Sequence, residues 1–464
     1  MTNKKLKCIK KITLLFFSIT IFFTACTSNA NIKNSPIEKY TLDNGISVII
    51  KQNSSNHILS LNLTVVGGSE LLNPEESGLE SALFKMMCKG SKNYSFEELQ
   101  QIEYSKQSAL SSSSSRLGST LSLNCIDYYF DDMFPVFVDA FLHPAFGQNE
   151  YKTMMNDFSQ SLQKKLNNPF SLMEYTTVQN LYKGHPYETK ASVTKESINN
   201  ITINAIKTLH NKEMDASRIF ITAVGNFNSI ELVSKLNASL GTIPTNTSTF
   251  IPAKIPELKI GGNPVIIKSQ EAVGSGYLGC IFPAPKYDSE DTIANILTAN
   301  IYKDILFNIV REKHGACYSI GCGTSGDKAP YNILYVFKAS DLENISKWID
   351  EAKNLLQSDK LIDSKDSKTG EYIYSTIQER LDGYKNSYIN SLFSATKTNQ
   401  SLASLLISGK LKYNNPERYL SLIDRIRSVT VNDINNCIST YWTSNEHQWF
   451  AVTGPEDVNR LNLY

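Results

Sequence analysis

The chain has 464 residues, 41% of them hydrophobic and 20% charged, a composition that excludes a disordered protein and fits a globular one. Its length exceeds one ordinary domain and predicts two or more, each burying its own core. The formal net charge is +1, falling to −4 without five lysines in the first eleven residues, so charge gives no case for nucleic acid as a partner.

Those lysines (Lys4, Lys5, Lys7, Lys10 and Lys11) precede the apolar run "ITLLFFSITIFF" and then "TAC". A basic start, a short apolar stretch and small residues describe an export signal over 1–25, too short for a comfortable membrane-spanning helix. Phe23-Thr24-Ala25-Cys26 resembles a bacterial lipobox, which implies cleavage before Cys26 and a lipid on its thiol. A plain signal peptide with a chance cysteine is the alternative. Residues 26–36 read as a polar tether. The expected location is the bacterial cell envelope, lipid-anchored to a membrane, with the body in the periplasm or outside the cell. Six further cysteines (Cys88, Cys125, Cys280, Cys317, Cys322 and Cys437) lie far apart in mostly apolar segments, as buried free thiols do.

The first predicted elements are two strands flanking Asn44-Gly45 in "YTLDNGISVIIKQ", a hairpin signal. A helix follows in "GLESALFKMMCKGS", from Gly78. The serine-rich "QSALSSSSSRLGSTLSLNCIDYY" is either an edge strand, open to an extended peptide, or a flexible loop. "PVFVDAFLHP" and "QNEYKTMMNDFSQSLQKKL" have helical patterns. Past residue 240, a Pro-, Thr- and Gly-rich stretch over 241–261 reads as a linker. "GNPVIIKSQ" then restarts the strand pattern at Gly262. A helix is predicted from Ser289 to Gly315, with Ile293, Ile296, Leu297, Ile301, Ile305 and Ile309 on one stripe.

Two distant segments match: "ITINAIKTLHNKEMDASRIFITAVGNFNSIELV" from Ile201 and "VTVNDINNCISTYWTSNEHQWFAVTGPEDVNRL" from Val429. Their entries are 228 residues apart and their glycine turns, Gly225 and Gly454, are 229 apart, which argues duplication. The expected architecture is α+β: domains over 37–240 and 262–464, each a mostly antiparallel sheet packed by helices.

The duplicated halves and "VVGGSELLNPEESGLESALFKMMCKGSKNYSF" resemble the pitrilysin/insulinase peptidase family, the inverzincins. The resemblance implies a chain forming half of a clam-shell. In that family the helix carries His-x-x-Glu-His, with a distal glutamate about 76 residues on. Here those positions are Ser81, Phe84, Lys85 and Ser161. Serine hydroxyls are poor zinc ligands, a protonated lysine has no lone pair, and phenylalanine neither binds metal nor moves a proton. The histidines (His57, His143, His185, His210, His314 and His447) supply no second ligand spacing. No metal or other cofactor is expected in this chain.

"LFNIVREKHGACYSIGCGTS" resembles the same family's second-half signature, in which an Arg/Tyr pair grips substrate and supports the developing oxyanion. Arg311 and Tyr318 occupy those positions; without the resemblance they read as a helix-terminal arginine and a core tyrosine. Some bacterial members divide the zinc motif and the Arg/Tyr pair between two chains. The resemblance therefore implies a non-catalytic subunit, with zinc only in a homologous partner and a peptide as substrate. The alternatives are an inactive scaffold or peptide-binding lipoprotein of the envelope and, less favoured, a homodimer with residual activity.

Overall fold

The computed structural model describes residues 36–246 and 254–463; the expected signal segment, Cys26, nearly all of the tether and part of the linker lie outside the described residues. The first half contains strands β1 (Ile37–Thr41), β2 (Ser47–Gln52), β3 (Ile58–Val66), β4 (Ala109–Ser114), β5 (Gly118–Ile126) and β6 (Ile219–Gly225). They form one sheet in the order β1-β2-β6-β3-β5-β4. The second half contains β7 (Val265–Lys268), β8 (Gly276–Pro283), β9 (Cys317–Ser325), β10 (Tyr331–Ala339), the separate hairpin β11 (Leu361–Lys365) and β12 (Tyr372–Ser375), and β13 (Gln448–Thr453). Its main sheet has the order β7-β13-β8-β10-β9, the first sheet's order without its outermost strand.

The repeated sequence explains the repeated order. In each half a threonine caps the last crossover helix: Thr202 accepts from the Ala205 amide and Thr430 from the Asp433 amide. The strand that follows, β6 or β13, inserts beside β2 or β7 in parallel and beside β3 or β8 antiparallel. All other neighbours in both sheets are antiparallel. The Asn44-Gly45 signal forms its turn, with Gly45 at φ 91° and the Leu42 amide donating to the Ile46 carbonyl at 2.9 Å.

The helices that matter for the site are α1 (Leu79–Met87), α2 (Phe96–Ser105), α3 (Phe130–Leu142), α4 (Gln148–Asn167), α5 (Pro169–Leu181), α6 (Ile203–Glu213), α7 (Ser229–Leu240) and α8 (Asp291–Leu306). Helix α1 packs on β4, β5 and α6 through Leu83, Phe84, Met86 and Met87, all fully buried. Its entry needs glycine at Gly78: φ is +84°, and a Cβ there would stand 2.6 Å from Val193 Cγ1. In α8 the predicted stripe is buried except for Ile296, which is half-buried. The Ser289 hydroxyl accepts from the Asp291 amide at 3.1 Å. At its end the structure departs from the expected α-helix: Phe307–Lys313 widens into a π-helical turn before Gly315, at φ 59°.

Each half also covers the other's sheet. Helix α5 lies on β8 and β13, with Met173 packed among Ile281, Phe450 and Val452. Gly279 permits that approach, since a Cβ would meet Met173 Sδ at 2.7 Å. In return the helix Asn399–Tyr413 lies on β3 and β6, with Leu402, Ala403 and Leu406 against Val224. Burying such aliphatic side chains stabilises each contact by about 1.5–3 kcal/mol per residue. The six cysteines Cys88, Cys125, Cys280, Cys317, Cys322 and Cys437 are free thiols, buried or half-buried.

Candidate functional site

Ser81 and Lys85 stand one helical turn apart and therefore share a face of α1. That face is the one α1 does not bury. It opens on a cavity of about 610 Å³, lined also by Ser161, Asp157 and Lys165 of α4 and by Ser111, Ser112 and Ser114 of β4. Three of the four degenerate positions predicted from the sequence thus converge on one space. Phe84, the fourth, does not line it and is 0% exposed in the first-half core.

This donor set does not fit a zinc ion. The Lys85 ammonium lies over the Phe158 ring, 5.9 Å from its centroid. Cys88 also lines the cavity, but burial pushes its thiol up to about 11, so it presents no thiolate near neutral pH. Among the described residues no group of three or more His, Cys, Asp or Glu is arranged to hold a metal ion.

The serine run resolves as a strand. β4 pairs antiparallel with β5 from Ala109 opposite Asn124 to Ser114 opposite Ser119, and it is the edge of its sheet. Its Leu110 amide is taken by Glu103 Oε1 at 2.5 Å, and the outer main-chain groups beyond it, from Ser112 on, are available to an added strand.

Arg311 and Tyr318 come together in the second half. Arg311 stands on the π-helical turn, its guanidinium carbon 4.9 Å from the Phe307 ring centroid and 5.7 Å from that of Tyr318. Such exposed cation–π contacts are worth about 0.5–1 kcal/mol each and hold the two side chains side by side. Tyr318 is on β9, the edge of the second sheet, and meets Phe337 edge-on at 5.9 Å. It is 66% exposed, and its hydroxyl has no hydrogen-bond partner among the described residues. The core-tyrosine reading is thereby excluded. The turn itself is clamped from behind: His314 stacks on Trp348 at 3.5 Å, and Glu351 accepts from Lys313 at 2.6 Å and pairs with His314 at 2.8 Å. Burial opposes ionisation of Glu351, but these hydrogen bonds outweigh it and hold its carboxyl below the usual range. Neither Arg311 nor Tyr318 lines the Ser81 cavity, whose walls come from the first half alone.

Two groups of buried charge escaped sequence reasoning. Glu80, next to Ser81, is buried, with Oε1 lacking a hydrogen bond; burial and the nearby Glu213 push its carboxyl up to about 8. Lys190 is 8% exposed, and its Nζ has no hydrogen-bond partner, although it sits 4.3 Å over the Tyr175 ring. A buried donor left unpaired costs about 1–3 kcal/mol, more when charged. Lys190 lines a smaller cavity of about 360 Å³ with Arg116 and Glu174; that cavity shares Lys165, Ala191 and Ser192 with the first. No sequence signal marks either residue, since both types ordinarily stay in water.

Comparison with known proteins agrees with this geometry. The family description "Insulinase (Peptidase family M16)" matches residues 47–194, and "Peptidase M16 inactive domain" matches 200–359. An uncharacterized zinc protease of Rickettsia felis is 22% identical over 437 residues, covering 90% of this chain and 97% of that protein. A protein of Helicobacter pylori named "Non-peptidase homolog YmxG" is 22% identical over 192 residues, 41% of this chain and 44% of that one. Among solved structures, a protease from Helicobacter pylori superposes with a TM-score of 0.77 at 15% identity, covering 90% of this chain and 99% of that one. The periplasmic protease PqqL from Escherichia coli does so at 0.71 and 16% identity, over 91% of this chain but 47% of that one. With two halves built alike, both matched by the same family, and serine, phenylalanine and lysine where its metal motif would stand, the chain belongs to the M16 (pitrilysin/insulinase) peptidase family, as a member of the non-catalytic type.

Proposed function

We propose that this chain is the non-catalytic subunit of a two-chain zinc metallopeptidase. A homologous partner bearing His-x-x-Glu-His supplies the metal and the activated water. This chain supplies Arg311 and Tyr318 to the partner's site and an edge strand along which peptide can lie. The observation that carries the proposal is the Arg311/Tyr318 arrangement: coupled, at a sheet edge, with Tyr318 exposed and Arg311 half-buried beside Glu312 at 3.6 Å, and backed by the His314–Trp348–Glu351 clamp. A guanidinium charged at any working pH and a phenolic donor are suited to holding a substrate carbonyl and its developing negative charge. The likeness to PqqL supports pairing, because this fold accounts for 47% of that longer chain and leaves room there for a second unit. Export and lipid attachment at Cys26 would place the complex at the bacterial envelope.

The test is reconstitution. The chain is co-expressed with the homologue from its own genome that carries the zinc motif, and peptide hydrolysis is compared with each chain alone. Hydrolysis that requires both supports the proposal; a partner equally active alone overturns it. The second reading, an inactive scaffold or peptide-binding lipoprotein, draws on the Helicobacter pylori relative named a non-peptidase homolog. It would be favoured if this chain's own genome held no zinc-motif homologue.

A further inference from the structure

We propose that the degenerate metal pocket and its neighbour form a carboxylate-binding groove, which makes acidic peptides the preferred occupants of the β4 edge. This inference rests on the peptide-binding part of the function proposed above and names the substrate class.

The two cavities share Lys165, Ala191 and Ser192, so they run on from one another beside β4. Their basic side chains are Lys85, Lys89, Lys165, Lys190 and Arg116. Three acids line the cavities, Asp157, Glu174 and Asp327, while from outside the lining Glu103 acts on Lys89 and Glu188 and Glu196 on Lys190. Asp327 is taken by Arg116 at 3.7 Å. Among the described residues none of the four lysines makes an ion pair. Each instead faces an aromatic ring: Lys85 on Phe158, Lys89 on Phe96, and both Lys165 and Lys190 on Tyr175.

Lys190 is the strongest indication. A cation removed from water normally has a hydrogen-bonded anion or several acceptors beside it; this one has no hydrogen-bond partner, and Glu196 and Glu188 act on it only as charges without a direct contact. Its backbone is fixed to the start of α1, the amide donating to Ser77 Oγ at 3.0 Å and the carbonyl accepting from the Gly78 amide at 2.9 Å. Burial and the positive charges of Lys165 and Arg116 hold its ammonium down to about 8, a strain that an arriving anion relieves. Serine hydroxyls from α1, α4 and β4 add donors suited to carboxylate oxygens. The adjoining open edge of β4 selects an extended peptide as the carrier of that anion. The carboxylate is either an Asp or Glu side chain or the peptide's own C-terminus.

Fluorescence anisotropy on the mature full-length chain tests this, with three labelled decapeptides of one extended sequence. The first has a central Glu and blocked ends, the second a central Gln and blocked ends, and the third Gln with a free C-terminal carboxylate. The Glu peptide, the free-terminus peptide or both should bind about tenfold more tightly than the blocked Gln peptide, and which one does so identifies the source. Added salt should narrow the gap. The triple variant Lys85→Gln, Lys165→Gln and Lys190→Met should erase it without weakening the blocked Gln peptide; removing a buried unpaired cation does not threaten the fold. Equal affinities for all three peptides, or a gap that survives in the triple variant, overturn the carboxylate groove and leave peptide binding standing. If no peptide binds, the peptide-binding reading falls and this inference falls with it.

Discussion

Replacing Glu80 by glutamine tests the electrostatics of the helix that carries the degenerate motif. Folding moves the Glu80 carboxyl from an ordinary value of 4.5 to about 8, first through burial and next through Glu213. Below pH 4.5 the group is protonated in both states and contributes nothing. Between 4.5 and 8 the folded state keeps a proton that the unfolded state releases, so stability falls as pH rises. The limiting slope is about 1.4 kcal/mol per pH unit, giving a loss of roughly 2–3 kcal/mol between pH 5 and pH 7. Glutamine keeps the shape and removes the titration. Glu70, raised to about 7 by burial, and Glu213, raised by burial against the opposing pull of Arg218, still titrate in the variant. The difference between the two proteins therefore reports Glu80 together with its coupling to Glu213 and Glu70. Urea unfolding at pH 5, 6 and 7 should be followed by far-UV circular dichroism, because Trp348, Trp442 and Trp449 all report on the second half. Wild type should lose about 2–3 kcal/mol more than Glu80→Gln over that range. Parallel pH profiles would refute the reasoning.

The former ligand positions should behave unequally under mutation. Phe84→Ala should cost about 3–5 kcal/mol in urea unfolding because it empties a core position, whereas Ser81→Ala and Ser161→Ala, on the cavity wall, should stay within about 0.5 kcal/mol. Leu406→Ala should cost about 2–5 kcal/mol and raise hydrogen exchange in β6 as well as in its own helix, since Leu406 packs across the halves. Exchange confined to the second half would contradict that packing.

The duplication was legible because the capping threonine and closing glycine recur at nearly one offset, and both threonines do cap helices. Ser81, Lys85 and Ser161 were legible as a group because helical spacing and the resemblance aimed them at one place, where the structure brings them together. The serine run was open between strand and loop, since hydroxyl side chains fit either. Its neighbour decides: Leu121 and Leu123 of β5 are buried, which fixes that strand's face and hence the register in which β4 pairs. The exchange of α5 and Asn399–Tyr413 between halves could not be read. An apolar stripe predicts a buried face, not which sheet covers it. The π-helical turn under Arg311 was hidden for a related reason, because its apolar spacing is that of the α-helix it continues.

The central claim is that Arg311 and Tyr318 act in another chain's active site, and turnover by the reconstituted pair tests it most directly. With the zinc-bearing partner held constant, kcat/KM should be measured for wild type, Arg311→Ala and Tyr318→Phe. Circular dichroism and complex formation serve as controls, and both positions are exposed enough for the fold to survive. The account predicts a fall of about 100-fold or more in each variant, the scale expected for losing a transition-state donor, with the complex intact. Variants that cleave peptide as fast as wild type would contradict it.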